Sequence, residues 1–222
     1  MSESYYQNQT GRGFSEDRTA RNWRDPPSSQ PTLKIVSLSQ LENYSSGRCG
    51  IIPYTVAVSK TTSVSYVNFL FAVDSKSQQL CDFGGCIQEN ETLLEGGIRE
   101  FHEESNKIIT LNKKILSQCV AVYSNRTPSP RAYIFYPIDV DVFYNIPEIF
   151  SREHKKIMSK EVVDRCYTEV DRIEIVTQRN LRDLYLKRQN STIWGSIKKD
   201  FELLPPDFID ILRQAHVDTH KK

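Results

Sequence analysis

A chain of 222 residues, 38% hydrophobic and 26% charged with a formal net charge of +1, is long enough for one domain with its own core and too apolar for a wholly disordered chain. No apolar run approaches the ~20 residues that cross a bilayer. The first residues carry neither a basic-then-apolar leader nor an acid-poor amphipathic pattern, so the expected compartment is cytoplasmic, with the nucleus left open. Five cysteines, Cys49, Cys81, Cys86, Cys119 and Cys166, lack the paired short spacings of a zinc site and read as reduced, mostly buried thiols.

In chain order, residues 1–32 are polar and rich in Gly, Pro, Ser, Asn and Gln without an apolar period, which reads as a flexible N-terminal tail. Its Arg12, Arg18, Arg21 and Arg24 are nearly cancelled by nearby acids, making it a tether more than an RNA-binding arm. Residues 33–222 read as the folded domain, C-terminal helices included. Strands are predicted over Leu33–Leu38, Ile51–Ser59 and Tyr66–Val73, where Val67, Phe69, Phe71 and Val73 alternate with their neighbours. A loop, Asp82-Phe83-Gly84-Gly85, leads into a helix from about Thr92 to Ser105. Strands at Gln118–Tyr123 and Ala132–Ile138 flank a long connection from Ser124 to Arg131. A short strand at Ile173–Val176, a helix near Arg179–Arg188 and a last helix opened by Pro206 complete the reading. His216 and His220 would share a face of that helix and suit a metal, but an exposed, frayed end is the preferred reading. Strands and helices intermix without a regular βαβ repeat, which favours an α/β fold with a mixed sheet packed between helices.

The net charge hides an uneven distribution. Between Gln178 and Lys199 stand Arg179, Arg182, Lys187, Arg188, Lys198 and Lys199 against one acid, Asp183; Arg152, Lys155, Lys156 and Lys160 make a second basic cluster, whereas Glu89 to Glu104 is acidic. An acidic spot with basic flanks suits a metal site beside a surface for polyanions, with solvated charged helix faces as the plain alternative.

The strongest signal lies in the predicted helix. Glu100, Glu103 and Glu104 stand at i, i+3 and i+4, so their carboxylates leave one face close together. Three like charges repel and raise a carboxylate pKa unless a cation such as Mg²⁺ or Mn²⁺, which prefers hard oxygen ligands, lies among them. Glu91, near the helix start, would pair with an arginine and brace the turn. Gly84-Gly85 lets the backbone bring a carbonyl toward the same place. Gly96 and Gly97 each cost about 1 kcal/mol against alanine inside a helix, a cost that close packing on the sheet would explain. The whole spacing Gly-x5-Glu-x7-Arg-Glu-x-x-Glu-Glu would arise by chance in roughly one chain in 10⁵ at ~6% frequency per position, whereas Glu-x-x-Glu-Glu alone is ordinary.

Gly85, Glu91, Arg99, Glu100, Phe101, Glu103 and Glu104 resemble the Nudix box, Gly-x5-Glu-x7-Arg-Glu-U-x-Glu-Glu-x-Gly-U, with U a bulky apolar residue. The resemblance implies the Nudix fold, an α/β/α sandwich around a central mixed sheet, and metal-dependent hydrolysis of a nucleoside diphosphate linked to another group. Carried over by position, Glu100, Glu103 and Glu104 would ligate Mg²⁺ or Mn²⁺ together with the Gly84 carbonyl, Arg99 would orient Glu100, and Gly85 and Glu91 would support the box. The pattern is broken at Asn106, where the box has its last glycine, and at Lys107, where it has an apolar residue; Asn tolerates the left-handed backbone of a helix end. More loosely, Glu169-Val170-Asp171-Arg172-Ile173-Glu174-Ile175-Val176 resembles the segment Glu-Ile-x-x-Ile-Glu-Trp-Phe of Nudix mRNA-decapping enzymes, without its tryptophan. That similarity implies Glu169 as general base or further ligand, with Asp171 in reserve and an ordinary strand-edge acid as the plain alternative.

The implied chemistry is attack of water on one phosphorus of a pyrophosphate bridge, a carboxylate taking the proton and cations neutralising the phosphate. No catalytic Ser or Cys is needed, and Cys81 and Cys86 read as packing residues. Capped RNA, cut to release (m7)GDP, is the leading expected substrate, because the basic stretches would hold phosphates beyond the diphosphate. Arg126, Arg131, Lys155, Lys156, Arg179, Arg182, Lys187 and Arg188 are the candidate contacts, and Tyr123, Tyr133, Tyr136, Tyr144 or Trp194 would stack on a base. The basic segments, the polar tail and the Asp82–Gly85 loop also resemble Nudix proteins of large DNA viruses, which would set the protein in a host cytoplasm. Free nucleotides, dinucleoside polyphosphates and diphosphoinositol polyphosphates stay open as substrates, as does a non-catalytic Nudix-like RNA- or nucleotide-binding module.

Overall fold

The computed structural model describes residues 32–181 and 193–220; the tail through residue 31 and the candidate contacts Arg182, Lys187 and Arg188 lie outside the described residues. Thr32, assigned to the tail by sequence, belongs with the domain, since its N–H and hydroxyl both donate to Asn125 Oδ1, at 3.0 and 2.8 Å.

The β-branched and aromatic runs build β1 (Leu33–Val36), β2 (Arg48–Val58), β3 (Ser65–Asp74), β4 (Leu80–Cys81), β5 (Phe83–Cys86), β6 (Val120–Ser124), β7 (Arg131–Pro137) and β8 (Val170–Thr177). They form one sheet in the order β1-β6-β7-β2-β3-β4, with β5 joined to β2 and β8 to β3. β2 is parallel to β7 and antiparallel to β3 and β5, so the sheet is mixed, as the sequence suggests. The long β2 forks: Tyr54–Val58 pairs with β3, whereas Arg48–Ile51 pairs with β5. Asp82–Gly85, expected as a loop, is therefore largely strand; four residues with two glycines show no period of two to reveal it. β8 exceeds the expected Ile173–Val176 because the charges of Asp171, Arg172 and Glu174 mask its alternation.

The helices are α1 (Leu38–Leu41), α2 (Leu93–Glu104), α3 (Lys113–Leu116), α4 (Val140–Phe143), α5 (Ile146–Met158), α6 (Gly195–Phe201) and α7 (Phe208–His220), with a 3-10 turn at Arg165–Thr168. α2 starts on a reciprocal cap: Glu95 N–H donates to Thr92 Oγ1 at 3.2 Å and Thr92 N–H to Glu95 Oε2 at 2.9 Å. It closes where Asn106 N–H reaches Glu103 O at 3.1 Å and Lys107 N–H reaches His102 O at 2.9 Å, the two bonds of a Schellman end. Asn106 and Lys107 have φ of 53° and 59°, so asparagine fills the left-handed position at which the box pattern has glycine.

One face of the sheet carries α2, with Phe101 edge-on to Phe83 at 5.5 Å. The other carries α6 and α7. Tyr133 and Phe135 meet Phe201 at 5.5 and 6.1 Å, Phe135 meets Phe208 at 4.9 Å, and Tyr54 Oη donates to Leu212 O at 3.0 Å. Helices thus cover both faces of a mixed sheet, an α/β/α arrangement. α5 escaped the sequence reading, which took Arg152–Lys160 as a charge cluster; its buried Ile146 and Phe150 stand at helical spacing beneath those charges.

Gly97 explains its place in α2. A Cβ there would lie 2.6 Å from Cys49 Sγ on β2, and one on Gly96 2.5 Å from Ile87 Cγ2. Gly97→Ala is expected to destabilise by about 1–3 kcal/mol through overpacking, more than the ~1 kcal/mol gained in helix propensity. Chemical denaturation should show recovery when Cys49→Ala is added.

The expected frayed C-terminus is corrected: α7 continues through His220, and the His216 and His220 rings stack at 4.3 Å. His216 also meets Tyr54 edge-on at 5.9 Å, with Nε2 3.3 Å from Ile138 O. Burial, and then His220, hold the His216 pKa below the ordinary imidazole value, with Ile138 O and Asp139 pulling the other way. The unfolded chain therefore takes up this proton at higher pH than the folded one. Stability is full above the ordinary imidazole value, falls as pH drops through it to the depressed folded value, and levels off below. A melt monitored by circular dichroism should show a smaller acid decline for His216→Gln than for wild type.

Candidate active site

Two glycines on β5 seat the box. Gly84 and Gly85 pair with Gly50 and Cys49 of β2; a Cβ on Gly84 would lie 2.3 Å from Gly50 Cα, and one on Gly85 2.4 Å from the Glu100 carboxylate. Glycine is required for Glu100 to lie on this strand. Glu104 reaches it too, accepting from Gly84 N–H at 2.6 Å. Arg99 runs between the acids: Nε and Nη2 donate to Glu91 at 2.8 and 3.0 Å, Nη1 to Glu100 Oε1 at 2.8 Å, with Glu103 Oε2 at 3.6 Å.

Helical spacing sets Glu100, Glu103 and Glu104 on one face, but the expectation that it alone gathers them at one point is corrected. Glu104 is turned inward at 9% exposure, Glu100 rests on Arg99, and Glu103 stands at the rim. Among the described residues no group of three or more His, Cys, Asp or Glu forms a ready metal cluster. Arg99 Nη1 lies between Glu100 Oε1 and Glu103 Oε2, a cation beside two of the carboxylates, while the third, Glu104, is held by the Gly84 N–H.

Burial pushes the Glu104 carboxyl well above the usual carboxylate range; Arg48 and the Gly84 N–H oppose the shift, Asp82 and Glu100 add to it. Glu103 is also raised, by burial first, with Arg99 opposing and Glu100, Asp164 and Glu169 reinforcing. Glu91 is lowered by its hydrogen bonds from Arg99 and Gln88. The field at Glu103 therefore brings in Glu169 and Asp164. Sequence reasoning missed Asp164, whose only signal was its nearness in the chain to Glu169. Asp171 instead pairs with Arg172 at 2.9 Å and acts on His154. Burial and Asp164 push the Cys166 thiol up to about 11. Cys49, Cys81 and Cys119 are buried; Cys86, read as a packing residue, is exposed because it ends an edge segment of β5. The donor set of Glu100, Glu103 and Glu104, all oxygen and seated where Gly85 leaves room, fits Mg²⁺ or Mn²⁺.

Arg48, on β2, was also missed. Its Nη1 meets Asp82 Oδ2 at 2.5 Å, its Nη2 donates to Gly84 O at 2.7 Å, and its guanidinium lies 5.3 Å from the Trp194 ring centre. The Gly84 carbonyl expected to face a metal is thus held by an arginine, while the Gly84 N–H is held by Glu104.

The other candidate contacts scatter. Lys155 and Lys156 are exposed on α5, Lys156 bonding Glu153 at 2.9 Å, and α5 touches the end of α2 through Asn106 Nδ2 and His154 Nδ1, 3.5 Å apart. Arg126 and Arg131 flank Asp200 at 3.5 and 3.6 Å. Arg179 follows the far end of β8, about 26 Å along the strand from Glu169 for eight residues at ~3.3 Å each. It lines a cleft of about 530 Å³ with Gln178, Phe135, Phe201, Phe208 and Arg213 and does not join the box. Of the aromatic candidates, Tyr133 and Tyr136 are buried and closed to a base, Tyr123 stacks on Tyr44 at 4.4 Å, Tyr144 is exposed, its hydroxyl accepting from Asn68 Nδ2 at 2.6 Å, and Trp194 lies against Arg48.

No family model matches the chain, and no curated protein sequence matches it either. Among solved structures it is similar to a C. elegans Ap4A hydrolase in a binary complex, at 12% identity and a TM-score of 0.39, over 76% of this chain and 98% of that one.

Proposed function

We propose that this chain is a metal-dependent Nudix-type pyrophosphohydrolase that cuts the diphosphate of capped RNA to release (m7)GDP. The observation that carries the reading is the seating of Glu100 and Glu104 on the Gly84-Gly85 strand, with Arg99 braced by Glu91 across them. Bound at Glu100, Glu103 and Glu104, Mg²⁺ or Mn²⁺ supplies positive charge against the diphosphate oxygens and acidifies water.

The chain's own residues do the rest. Arg99 fixes the direction of Glu100, and the Gly84 N–H fixes Glu104 by one oxygen. Glu169, exposed and within the field of Glu103, takes the proton of the attacking water as general base. RNA as the substrate is supported by Lys155 and Lys156 on the helix bordering the box, where phosphates beyond the cap would lie.

Cap-labelled RNA and a panel of free nucleotides, each incubated with Mg²⁺ or Mn²⁺, test the reading. Methylated GDP released from RNA is the expected result. Turnover of free nucleotides alone would end the RNA assignment, and RNA binding without hydrolysis of either would favour a non-catalytic module.

A further inference from the structure

The register of the sheet lines up basic side chains. Ser124, Arg131, Arg48 and Cys86 are successive partners across β6, β7, β2 and β5, and directly paired residues present their side chains to one face. Arg131 and Arg48 are therefore like charges side by side, an arrangement that destabilises a sheet unless opposite charge lies against it. Arg126, just past Ser124, adds a third guanidinium. Two fully buried carboxylates answer them, Asp82 and Asp200.

Arg48 is satisfied by Asp82, Gly84 O and Trp194. The other two are not. Asp200 takes its hydrogen bonds from Ser124 Oγ at 2.9 Å and Tyr133 Oη at 2.7 Å, leaving Arg126 and Arg131 at 3.5 and 3.6 Å, close enough for attraction and too far or misaligned for a hydrogen bond. Arg126 Nε has no hydrogen-bond partner. Each guanidinium carries five N–H donors in a planar fork, and among the described residues neither fork donates a side-chain hydrogen bond. Both side chains stay open to solvent, at 24% and 22% exposure. Three guanidiniums against two carboxylates leave positive charge beside unspent donors, the geometry that takes phosphate bidentately. The row ends at Cys86, whereas Gly85 beside it turns toward Glu100 on the α2 face, so the row and the box approach the same end of β5 from opposite faces of the sheet.

We infer that Arg126 and Arg131 form a phosphate subsite that holds a phosphate of the substrate outside the scissile diphosphate. The assignment of that phosphate to a substrate rests on the pyrophosphohydrolase reading; the anion site rests on the unspent donors. An RNA phosphodiester and the terminal phosphate of a free polyphosphate share this chemistry, and separate probes distinguish them.

The test is metal-free binding, by fluorescence anisotropy, of a 3′-labelled, 5′-phosphorylated single-stranded RNA hexamer with no diphosphate bond, and competition by inorganic tripolyphosphate. Because Arg126→Gln/Arg131→Gln would strand Asp200 and threaten the fold, it is paired with the triple variant that adds Asp200→Asn. The expected result is at least tenfold weaker RNA binding in the folded variant, with the log–log salt slope reduced by about 1.4, at ~0.7 per phosphate contact. Lys113→Ala/Lys114→Ala, which removes the same charge from exposed α3, should change affinity less than twofold. Arginine-dependent binding of tripolyphosphate alone supports the subsite and names a free polyphosphate as its source. Binding that does not depend on the arginines for either probe, or no binding of either by wild type, overturns it. Since the RNA probe has no diphosphate bond and binding of both probes is read without metal, arginine-dependent binding by a protein that hydrolyses no diphosphate leaves the subsite standing and ends the enzymatic reading. Hydrolysis lost in Glu103→Gln with arginine-independent binding does the reverse.

Discussion

Glu104→Gln is expected to remove hydrolysis while leaving the fold as stable as wild type or more so. Loss of a group that only supports a metal ligand already costs tenfold to a hundredfold, so loss of the ligand charge should lower turnover by at least about a hundredfold. Stability should respond in the opposite sense. Glu104 is buried near Asp82 and Glu100, and its carboxyl is held well above the usual range. A carboxyl whose folded pKa exceeds its unfolded value costs stability as pH rises through the unfolded value. The neutral isostere escapes that cost and still offers a carbonyl oxygen to the Gly84 N–H. The stabilisation should therefore be absent in acid and largest at neutral pH and above. Hydrolysis rates and thermal melts on one preparation separate the two effects. Turnover within threefold of wild type, or a melting point several degrees lower, would count against the role given to Glu104.

Arg48→Met should give the largest loss of stability. It leaves Asp82 fully buried without its partner, and Asp82 Oδ1 is already without one. Breaking a buried pair on one side costs about 3–5 kcal/mol, a fall of roughly 6–20 °C in melting point for a domain of this size. Adding Asp82→Asn should recover much of it, because the penalty is mostly the stranded charge. Arg48→Lys should not recover it: one ammonium lacks the planar fork that meets Asp82 and the Gly84 carbonyl together. Urea denaturation of wild type, Arg48→Met, Asp82→Asn and the double variant forms a double-mutant cycle, and additive losses for Arg48→Met and Asp82→Asn would refute the coupling.

The parts of this fold that were legible in the sequence are those whose information is local. Thr92 and Ser105 bound α2 as read, because the capping pair and the closing turn are written within a few residues of the helix. The alternation of Val67, Phe69, Phe71 and Val73 marks β3 for the same reason. Arg99 meets Glu91 and Glu100 because one turn-and-helix geometry fixes all three. The rest depends on pairings distant in the chain. Nothing near Arg48 announces that its strand lies between Arg131 and Cys86, or that Asp82 faces it from β4–β5. Arg126 and Arg131 read as free cations because Asp200 arrives only when α6 docks on the far face. Periodicity set the three glutamates on one face and said nothing of Arg99 lying against two of them or of the Gly84 N–H taking the third.

The fork in β2 has a consequence for how the chain acquires its structure. The β2–β3 hairpin is local, but the parallel ladder that closes the other edge of β2 waits for Arg131–Pro137. A nascent or truncated chain ending before β7 displays Ile51, Ile52 and Tyr54 along an open edge, a template for association with other chains. Parallel closure across a long sequence separation is slow. The first half of β2, gripped by β7 on one side and the glycine strand on the other, is then among the last segments to become ordered, and fragments cut within the β6–β7 connection should aggregate instead of folding.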